Sequence, residues 1–572
     1  MSKRSFTPPE EWLDPLQEKL DTTAASSLPN PPESSAQVCP LPTPKVEAKT
    51  AGQQIARAAT VVMLAYIVST VVGIVRGMVI SRAFGTSMEL DAYNAANRVT
   101  ELLFNLTAGG ALGSAFIPMF TGMLTRNDKN SAWKLASGVI NALLLILIGV
   151  SALMWIFAPL IVEQILFVLV ENASPAMIEL TVELLRITLP TVIIFGMSGL
   201  VMGMLNSHQI FLWPALAPAM YSLGQIAGTL LLPDSMGVRR LAIGAVMGAL
   251  GHLALQLPSL LRLSGRFYER AAGFKDAAVR QVLKLMVPRI IGASVVQLNF
   301  VANMIIGLSL GEGSASALTW AFTIMLMPQV AIAQSAGTAS LPTLSAQVEL
   351  GQFEQFKQTL SGILRVMLIL ALPATVGLIL LRVPIIQVLY ERGNFDANST
   401  RMVAWALLWY SVGLTGHSLV EVLSRAFYAM HDTRTPVIVG VLAMTGNILL
   451  SFAFARVFSQ IGWLPLGGLA LANSLATAVE CLALLQILRK RLNGLNGRQI
   501  LDVGRLALIA SAVMGLALLT WLTIFGGSNK YFVLAGGVTV GLLVYVAMIW
   551  VLNVPEFKGI LLRLKGKMAE KG

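Results

Sequence analysis

The chain has 572 residues, of which 55% are hydrophobic and 12% charged, and its 41 Lys and Arg against 29 Asp and Glu give a net charge of +12. A soluble protein of this length could not keep so much apolar side chain off its surface, so the composition excludes a soluble globular enzyme and implies a polytopic membrane protein. Cys39 and Cys481 are too few and too far apart for a disulfide framework, and the four histidines form no metal-ligand cluster.

Residues 1–55 differ from the rest, with nine of the chain's 25 prolines and twelve interleaved charges. No apolar run follows the initial basic residues, which predicts a disordered cytoplasmic tail and not a signal peptide. After it, apolar runs of about 20 residues predict fourteen transmembrane helices and an all-α polytopic fold. The first six cover 56–84, 92–123, 133–159, 177–205, 212–232 and 241–261. The next six cover 282–310, 315–345, 356–381, 401–430, 436–457 and 466–488, and the last two 503–525 and 531–552.

Basic residues set the orientation. Arg262, Arg266, Arg270, Lys275, Arg280 and Lys284 follow span 6, Arg489, Lys490 and Arg491 follow span 12, and Lys558, Arg563, Lys565, Lys567 and Lys571 follow span 14. All fall on the side of the N-terminus, so the positive-inside rule places both termini in the cytoplasm of a cell whose inner membrane the protein crosses. The charge is a topology signal, and no nucleic-acid partner is expected.

The chain also repeats itself. Pro118 recurs as Pro342, Trp133-Lys134 as Phe356-Lys357, Pro159 as Pro384, His208 as His431, Pro214 as Pro436, Gly224-Gln225 as Gly446-Asn447 and Gly244 as Gly468. The separations stay between 222 and 225 residues, six helices apart, so two parallel lobes are expected, related by a pseudo-twofold along the membrane normal. The expected domains are the tail 1–55, an N-lobe 56–262, a basic cytoplasmic linker 263–281, a C-lobe 282–490, two extra spans in 491–553 and a basic tail 554–572.

Helical spacing then selects the helices that line a site. Asp91, Asn94, Arg98, Glu101 and Asn105 lie on one face of span 2, and Ser69, Gly73 and Arg76 on one face of span 1. Span 7 offers Arg289, Gln297, Asn299 and Asn303, and span 8 offers Thr319 and Thr323. A guanidinium at the depth of Arg76 costs at least about 2.5–3.5 kcal/mol on insertion scales, and residues that bear this cost face a cavity, a partner or a ligand. The stripe and Arg76 together predict one polar cavity between spans 1, 2, 7 and 8, whereas single Asn or Thr groups could simply bond neighbouring helices. Cations there suit an anionic substrate. Arg98 and Glu101 could neutralise each other, Asp91 is expected to be wet, and a cation exporter would use such carboxylates directly; residue chemistry leaves both open. Gly73, Gly77 and the in-span prolines Pro190, Pro214, Pro218, Pro328 and Pro373 could bend the helices that carry the groups. No nucleophile and base pair, phosphate-binding loop or zinc motif is present, so no enzyme is expected.

Two blocks carry a family resemblance. Gly73-Ile-Val-Arg76, Ser81-Arg-Ala-Phe-Gly85, Asp91-Ala-Tyr93 and Gly110-Ala-Leu-Gly-Ser-Ala-Phe-Ile-Pro-Met-Phe120 resemble the first two helices of the MurJ/MviN lipid II flippases. Glu391-Arg-Gly-Asn-Phe395 and Arg425-Ala-Phe-Tyr-Ala-Met-His-Asp-Thr-Arg-Thr-Pro436 resemble that family's tenth helix and following loop. The family belongs to the multidrug, oligosaccharidyl-lipid and polysaccharide exporter group, and the resemblance implies translocation of undecaprenyl-pyrophosphate-linked peptidoglycan precursor to the outer leaflet by alternating access. A polyprenyl-linked polysaccharide flippase or a multidrug/organic-cation antiporter is the alternative. Arg76 and Asp91 match an essential arginine and aspartate of the pattern. Thr70, Phe104 and Thr323 stand where it often has arginine, and Arg98 and Arg289 are the replacement charges expected here. The substrate-binding set is thus Arg76, Asp91, Arg98, Arg289, Asn299, Asn303 and Thr323, with no metal and no cofactor. Spans 13 and 14 would hold the lipid tail, as the family's extra pair does. Coupling to membrane potential or to a monovalent cation stays open, and the partners expected are the lipid-linked anionic precursor and the bilayer, with the protein acting as a monomer.

Overall fold

The computed structural model describes residues 48–105, 111–171, 173–263, 267–270, 273 and 275–554. The expected tails, apart from residues 48–55 and 554, lie outside the described residues, as does part of the basic linker. The chain divides after Arg57 into two compact units, and the second contains every helix except the opening turns of the first.

All regular structure among the described residues is helical. The first half comprises α1 (Ala48–Phe84), α2 (Met88–Phe104), α3 (Ala111–Thr125), α4 (Lys129–Ile156), the short α5 (Ala158–Ile161), α6 (Pro175–Thr188), α7 (Pro190–Ser207), α8 (Leu212–Leu231), α9 (Arg239–Ala254) and α10 (Leu257–Leu261). The second comprises α11 (Ala277–Ser309), α12 (Ser314–Gln329), α13 (Ser335–Glu349), α14 (Phe353–Leu389), α15 (Ala397–Ala429), α16 (Arg434–Gln460) and α17 (Leu466–Arg491), followed by α18 (Gly497–Phe525) and α19 (Lys530–Val551). Proline explains several breaks, because it removes an N–H and crowds the preceding turn. Pro190 opens α7 directly after α6, and Pro328 is followed by a π-helical turn, Val330–Gln334, before α13.

Eleven described helices are long and apolar enough to cross a membrane, and Ala115–Thr125 and Gln297–Ser309 are shorter apolar stretches. The expected count was fourteen. Polarity accounts for one difference: α2 carries Asp91, Asn94, Asn97, Arg98 and Glu101 within its 17 residues. The protein is a multi-pass membrane protein, and exposed apolar residues such as Ile67, Val71 and Val75, spaced four apart on α1, form its lipid-facing surface.

Four apolar clusters hold the helices. The largest runs from Ile80 to Ala315 and includes Val279, Val282, Met286, Met304 and Leu308, so α11 joins the first half's core while also packing on α16. Two clusters build the second half, around Tyr390, Phe395 and Tyr410 and around Phe356, Phe427 and Leu488. The fourth fixes α18 and α19 to α14 through Ile369, Leu381, Met514, Leu518 and Tyr545.

Backbone geometry displays the repeat. Asn127 (φ 60°) after α3 and Gly351 (φ 66°) after α13 are left-handed residues 224 positions apart; Gln209 (φ 59°) after α7 and His431 (φ 59°) after α15 are 222 apart. Helix ends therefore align Gln209, not His208, with His431, a one-residue correction to the pairing by residue type. Gly244 meets the backbone of Gly228 on α8, and Gly468 meets the backbone of Phe454 and Ala455 on α16, the close approach that small residues permit between membrane helices.

Candidate functional site

Arg76 lies eight residues before the end of α1, about 12 Å along the axis at 1.5 Å per residue. One face of α1 is lipid-exposed; the other is tied to α8 by Ser69 Oγ donating to Ala215 O at 3.2 Å and contacts Trp320 and Tyr390 at Gly77. Gly73, one turn before Arg76, has nothing within 4 Å of its would-be Cβ. Arg76 is partly exposed and makes no ion pair or hydrogen bond with any described residue. The hydroxyls of Tyr93 on α2, Tyr221 on α8 and Tyr390 after α14 lie within its electrostatic reach. Gln225 Nε2 donates to Tyr93 at 2.8 Å and to Tyr221 at 3.1 Å, so two of those hydroxyls are held in place.

The other charges of the stripe are paired inside the protein. Arg98 pairs with Glu101 at 2.8 Å, one turn along α2, and lies over the Phe300 ring of α11 at 5.2 Å. Asn97 Nδ2 donates to the other Glu101 oxygen at 3.0 Å. The mutual neutralisation that their spacing allowed is what forms.

Asp91 is 1% exposed, not wet. Its Oδ2 accepts from Gly313 N at 2.7 Å and its Oδ1 from Ser316 N at 2.6 Å, so a carboxylate of α2 caps the N-terminus of α12 in the other half. Helix N-termini present unsatisfied N–H groups and partial positive charge, the natural partners of a buried carboxylate. The favour is returned, since Glu312 Oε1 accepts from Met88 N at 3.2 Å at the start of α2. Asn94 Nδ2 donates to Ser316 Oγ at 3.0 Å, Thr86 Oγ1 meets Ser399 Oγ at 2.8 Å, and Asn394 donates through its backbone to Arg82 O and through its side chain to Ala83 O. Gly85 (φ 60°) and Gly313 (φ 76°) permit this closeness: each turns left-handed, and a Cβ would collide with Asn394 O or Thr86 O.

This seam closes the end of the molecule opposite the basic clusters. Above it lies a polar depression of about 550 Å3 bordered by Glu89, Glu312, Asn394, Asp396 and Asn398. The Ser399 backbone amide, then its hydroxyl, hold the Asp396 carboxyl below its usual range, so it stays charged.

Asn299, Asn303 and Thr323 bond to helix partners. Asn299 is buried, and its Nδ2 donates to Met444 O at 3.1 Å and to Asn447 Oδ1 at 3.2 Å; Asn303 Nδ2 reaches the same oxygen at 2.9 Å. The two asparagines thus join α11 to α16. Thr323 donates to Thr319 O and Thr319 to Ala315 O, both within α12. Arg289 lies on the described backbone of α11, and its side chain is outside the described residues.

Sequence reasoning missed the tyrosine and glutamine partners, whose single hydroxyls and amide give no pattern. It also missed Glu312, although Gly-Glu-Gly-Ser before an apolar run is a helix-start signal. Two more charges at membrane depth escaped it: Arg382 on α14, which donates to Ile379 O of its own helix, and Glu480 on α17, beside Gly440 of α16, which forms no ion pair among the described residues.

A family model described as lipid II flippase MurJ matches residues 80–539. The chain belongs to the MurJ family. A probable lipid II flippase MurJ of Vibrio cholerae is 30% identical over 520 residues, covering 88% of this chain and 97% of the relative. The lipid II flippase MurJ of Burkholderia cenocepacia is 28% identical over 437 residues, covering 74% and 82%. A solved lipid II flippase MurJ in an inward closed conformation superposes with a TM-score of 0.72 at 26% identity, over 85% of this chain and 97% of that one. An inward-facing multidrug resistance MATE family transporter of the MOP superfamily, 17% identical, shares the fold with a TM-score of 0.63 over 77% of this chain and 99% of its own. The MurJ-family chain is accordingly a membrane transporter.

Proposed function

We propose that this MurJ-family chain moves a polyprenyl-pyrophosphate-linked peptidoglycan precursor, lipid II, from the cytoplasmic to the outer leaflet of the bacterial inner membrane, without making or breaking covalent bonds. The basic end is the cytoplasmic one and holds both termini, and the protein works as a monomer. The observation that carries the reading is Arg76, a guanidinium of α1 that pairs with no described residue and lies within electrostatic reach of Tyr93, Tyr221 and Tyr390. Arginine binds pyrophosphate by charge-assisted, paired hydrogen bonds, and it does so most strongly where water is scarce. The headgroup enters from the basic end, meets Arg76, and leaves when the seam at Asp91 parts; the tail stays in lipid along α18 and α19. A membrane potential negative inside favours outward movement of an anion by about 2.3 kcal/mol per charge per 100 mV.

Two carboxylates of the α2 stripe support this reading, because Asp91 is committed to helix amides and Glu101 to Arg98, which leaves neither for a cation. Glu480 alone favours the cation-exporter reading. Purified protein in vesicles containing lipid II, assayed for leaflet accessibility, tests the proposal. Transfer by the wild type and none by Arg76→Ala is expected. Equal transfer by both, or cationic dye efflux that depends on Glu480 and no lipid transfer, overturns it.

A further inference from the structure

At the basic end of the first half, the α3–α4 and α7–α8 connections enclose a cavity of about 370 Å3. Its walls include Thr121, Thr125, Lys129, Ser207, His208 and Gln209, with Trp133 beneath. Lys129 supplies a positive charge and forms no ion pair among the described residues. The imidazole of His208 donates from Nδ1 to Met204 O at 2.9 Å, so its Nε2, without a partner among the described residues, donates to an anion when the ring is protonated. The Thr121 hydroxyl donates to Ser207 Oγ at 3.0 Å and the Thr125 hydroxyl to Thr121 O at 2.9 Å; both are rotors that can turn toward a ligand oxygen. The Trp133 indole N–H is buried and finds no partner among the described residues.

The second half provides an internal control. Pro118 and Pro342, Asn127 and Gly351, and the left-handed helix ends at Gln209 and His431 set the correspondence, by which Thr125 matches Glu349, Gln209 matches His431 and Lys129 matches Phe353. In the second half these positions close on themselves, His431 Nε2 meeting Glu349 Oε1 at 2.8 Å. The same junction of the fold is bridged by side chains in one half. In the other it is left open, with the acid replaced by a hydroxyl and an apolar ring by an ammonium.

We propose that this cavity is a binding site for a phosphate-bearing anion, separate from Arg76, and that the bound anion ties the α3–α4 connection to the α7–α8 connection as the Glu349–His431 pair ties their counterparts. The site does not rest on the transport reading. Its ligand is a phosphate group, whether from the headgroup of an anionic phospholipid at the membrane surface or from a soluble phosphate.

The test uses the full-length protein. Inorganic pyrophosphate is titrated into delipidated protein with melting temperature as the readout, and native mass spectrometry counts phosphatidylglycerol retained from nanodiscs against phosphatidylcholine. Two variants are compared with the wild type: Lys129→Gln, and Thr125→Glu with Gln209→His, which transplants the second half's bridge. Stabilisation by pyrophosphate identifies a soluble ligand, and selective retention of phosphatidylglycerol a lipid one. In either case Lys129→Gln weakens binding at least about tenfold, the loss expected for one charge-assisted contact, and the double variant abolishes it without lowering the melting temperature of the ligand-free protein. Lys129→Gln decides alone if the double variant does not fold. Binding of neither probe, or binding that both variants leave unchanged, overturns the proposal.

Discussion

α1 and α11 hold equivalent places in the two halves and treat polarity in opposite ways. On α1 a guanidinium is left without a partner among the described residues beside open space, whereas on α11 Asn299 and Asn303 are bound to Asn447 of α16, and the stretch aligned with Arg76, Leu298 to Val301, carries no charge. The Phe300 ring instead receives Arg98. A duplicated fold has thus divided its labour: one half offers a charge, and the other uses its polar groups to hold shape. An intramembrane charge that no described residue neutralises is a stronger mark of function than a cluster of polar residues that satisfy one another.

The most drastic way to break the comparison is to move the charge. Arg76→Ala is expected to abolish complementation of a flippase-depleted bacterium while the protein remains in the membrane by immunoblot, Arg76→Lys to retain part of it, and Phe300→Arg added to Arg76→Ala to restore none. Growth of that double variant would mean that the halves are interchangeable. Locking the halves together ranks next. Thr86→Cys with Ser399→Cys, whose hydroxyls are 2.8 Å apart, should stop transport under oxidant and recover under reductant, measured in the same vesicle assay.

Smaller effects sharpen the structural side. Asp91→Ala leaves the α12 amides uncapped and should cost about 2 kcal/mol, read from thermal unfolding. Asn299→Leu and Asn447→Leu should each cost about 1–2 kcal/mol, and the pair should cost less than their sum because each single change strands its partner. The smallest effect concerns the basic end, where burial would raise the Asp432 carboxyl but hydrogen bonds from Thr435 and Arg491 lower it from 3.8 to about 2. A depressed carboxyl stabilises the fold fully above its ordinary value near 4 and loses that contribution as pH falls through about 2. Asp432→Asn should therefore narrow its stability gap to wild type over that window, followed by unfolding in detergent.

Much of the architecture was legible in the sequence because bilayer length and a constant repeat offset are one-dimensional signals. Arg76 was legible for the same reason, as a charge inside an apolar run. What Asp91 does was not, since its partners are backbone amides 222 and 225 residues away, and an amide has no letter in a sequence. The asparagines of α11 misled in a related way: helical spacing places them on a polar face, but only the packing of α16 tells whether that face meets water or another amide. The His208 and His431 pairing followed residue identity, whereas helix ends follow the left-handed residue, which is Gln209.

The Asp91 cap has an implication for how such a chain can vary. Because two of the carboxylate's bonds come from the N–H groups at 313 and 316, which every residue but proline supplies, the residue at 316 can drift without removing those two bonds, while position 91 has no compensating substitution. Among related sequences Asp91 should look like a solitary fixed acid with no covarying mate, and methods that infer contacts from paired changes will overlook the join between the halves where it is strongest.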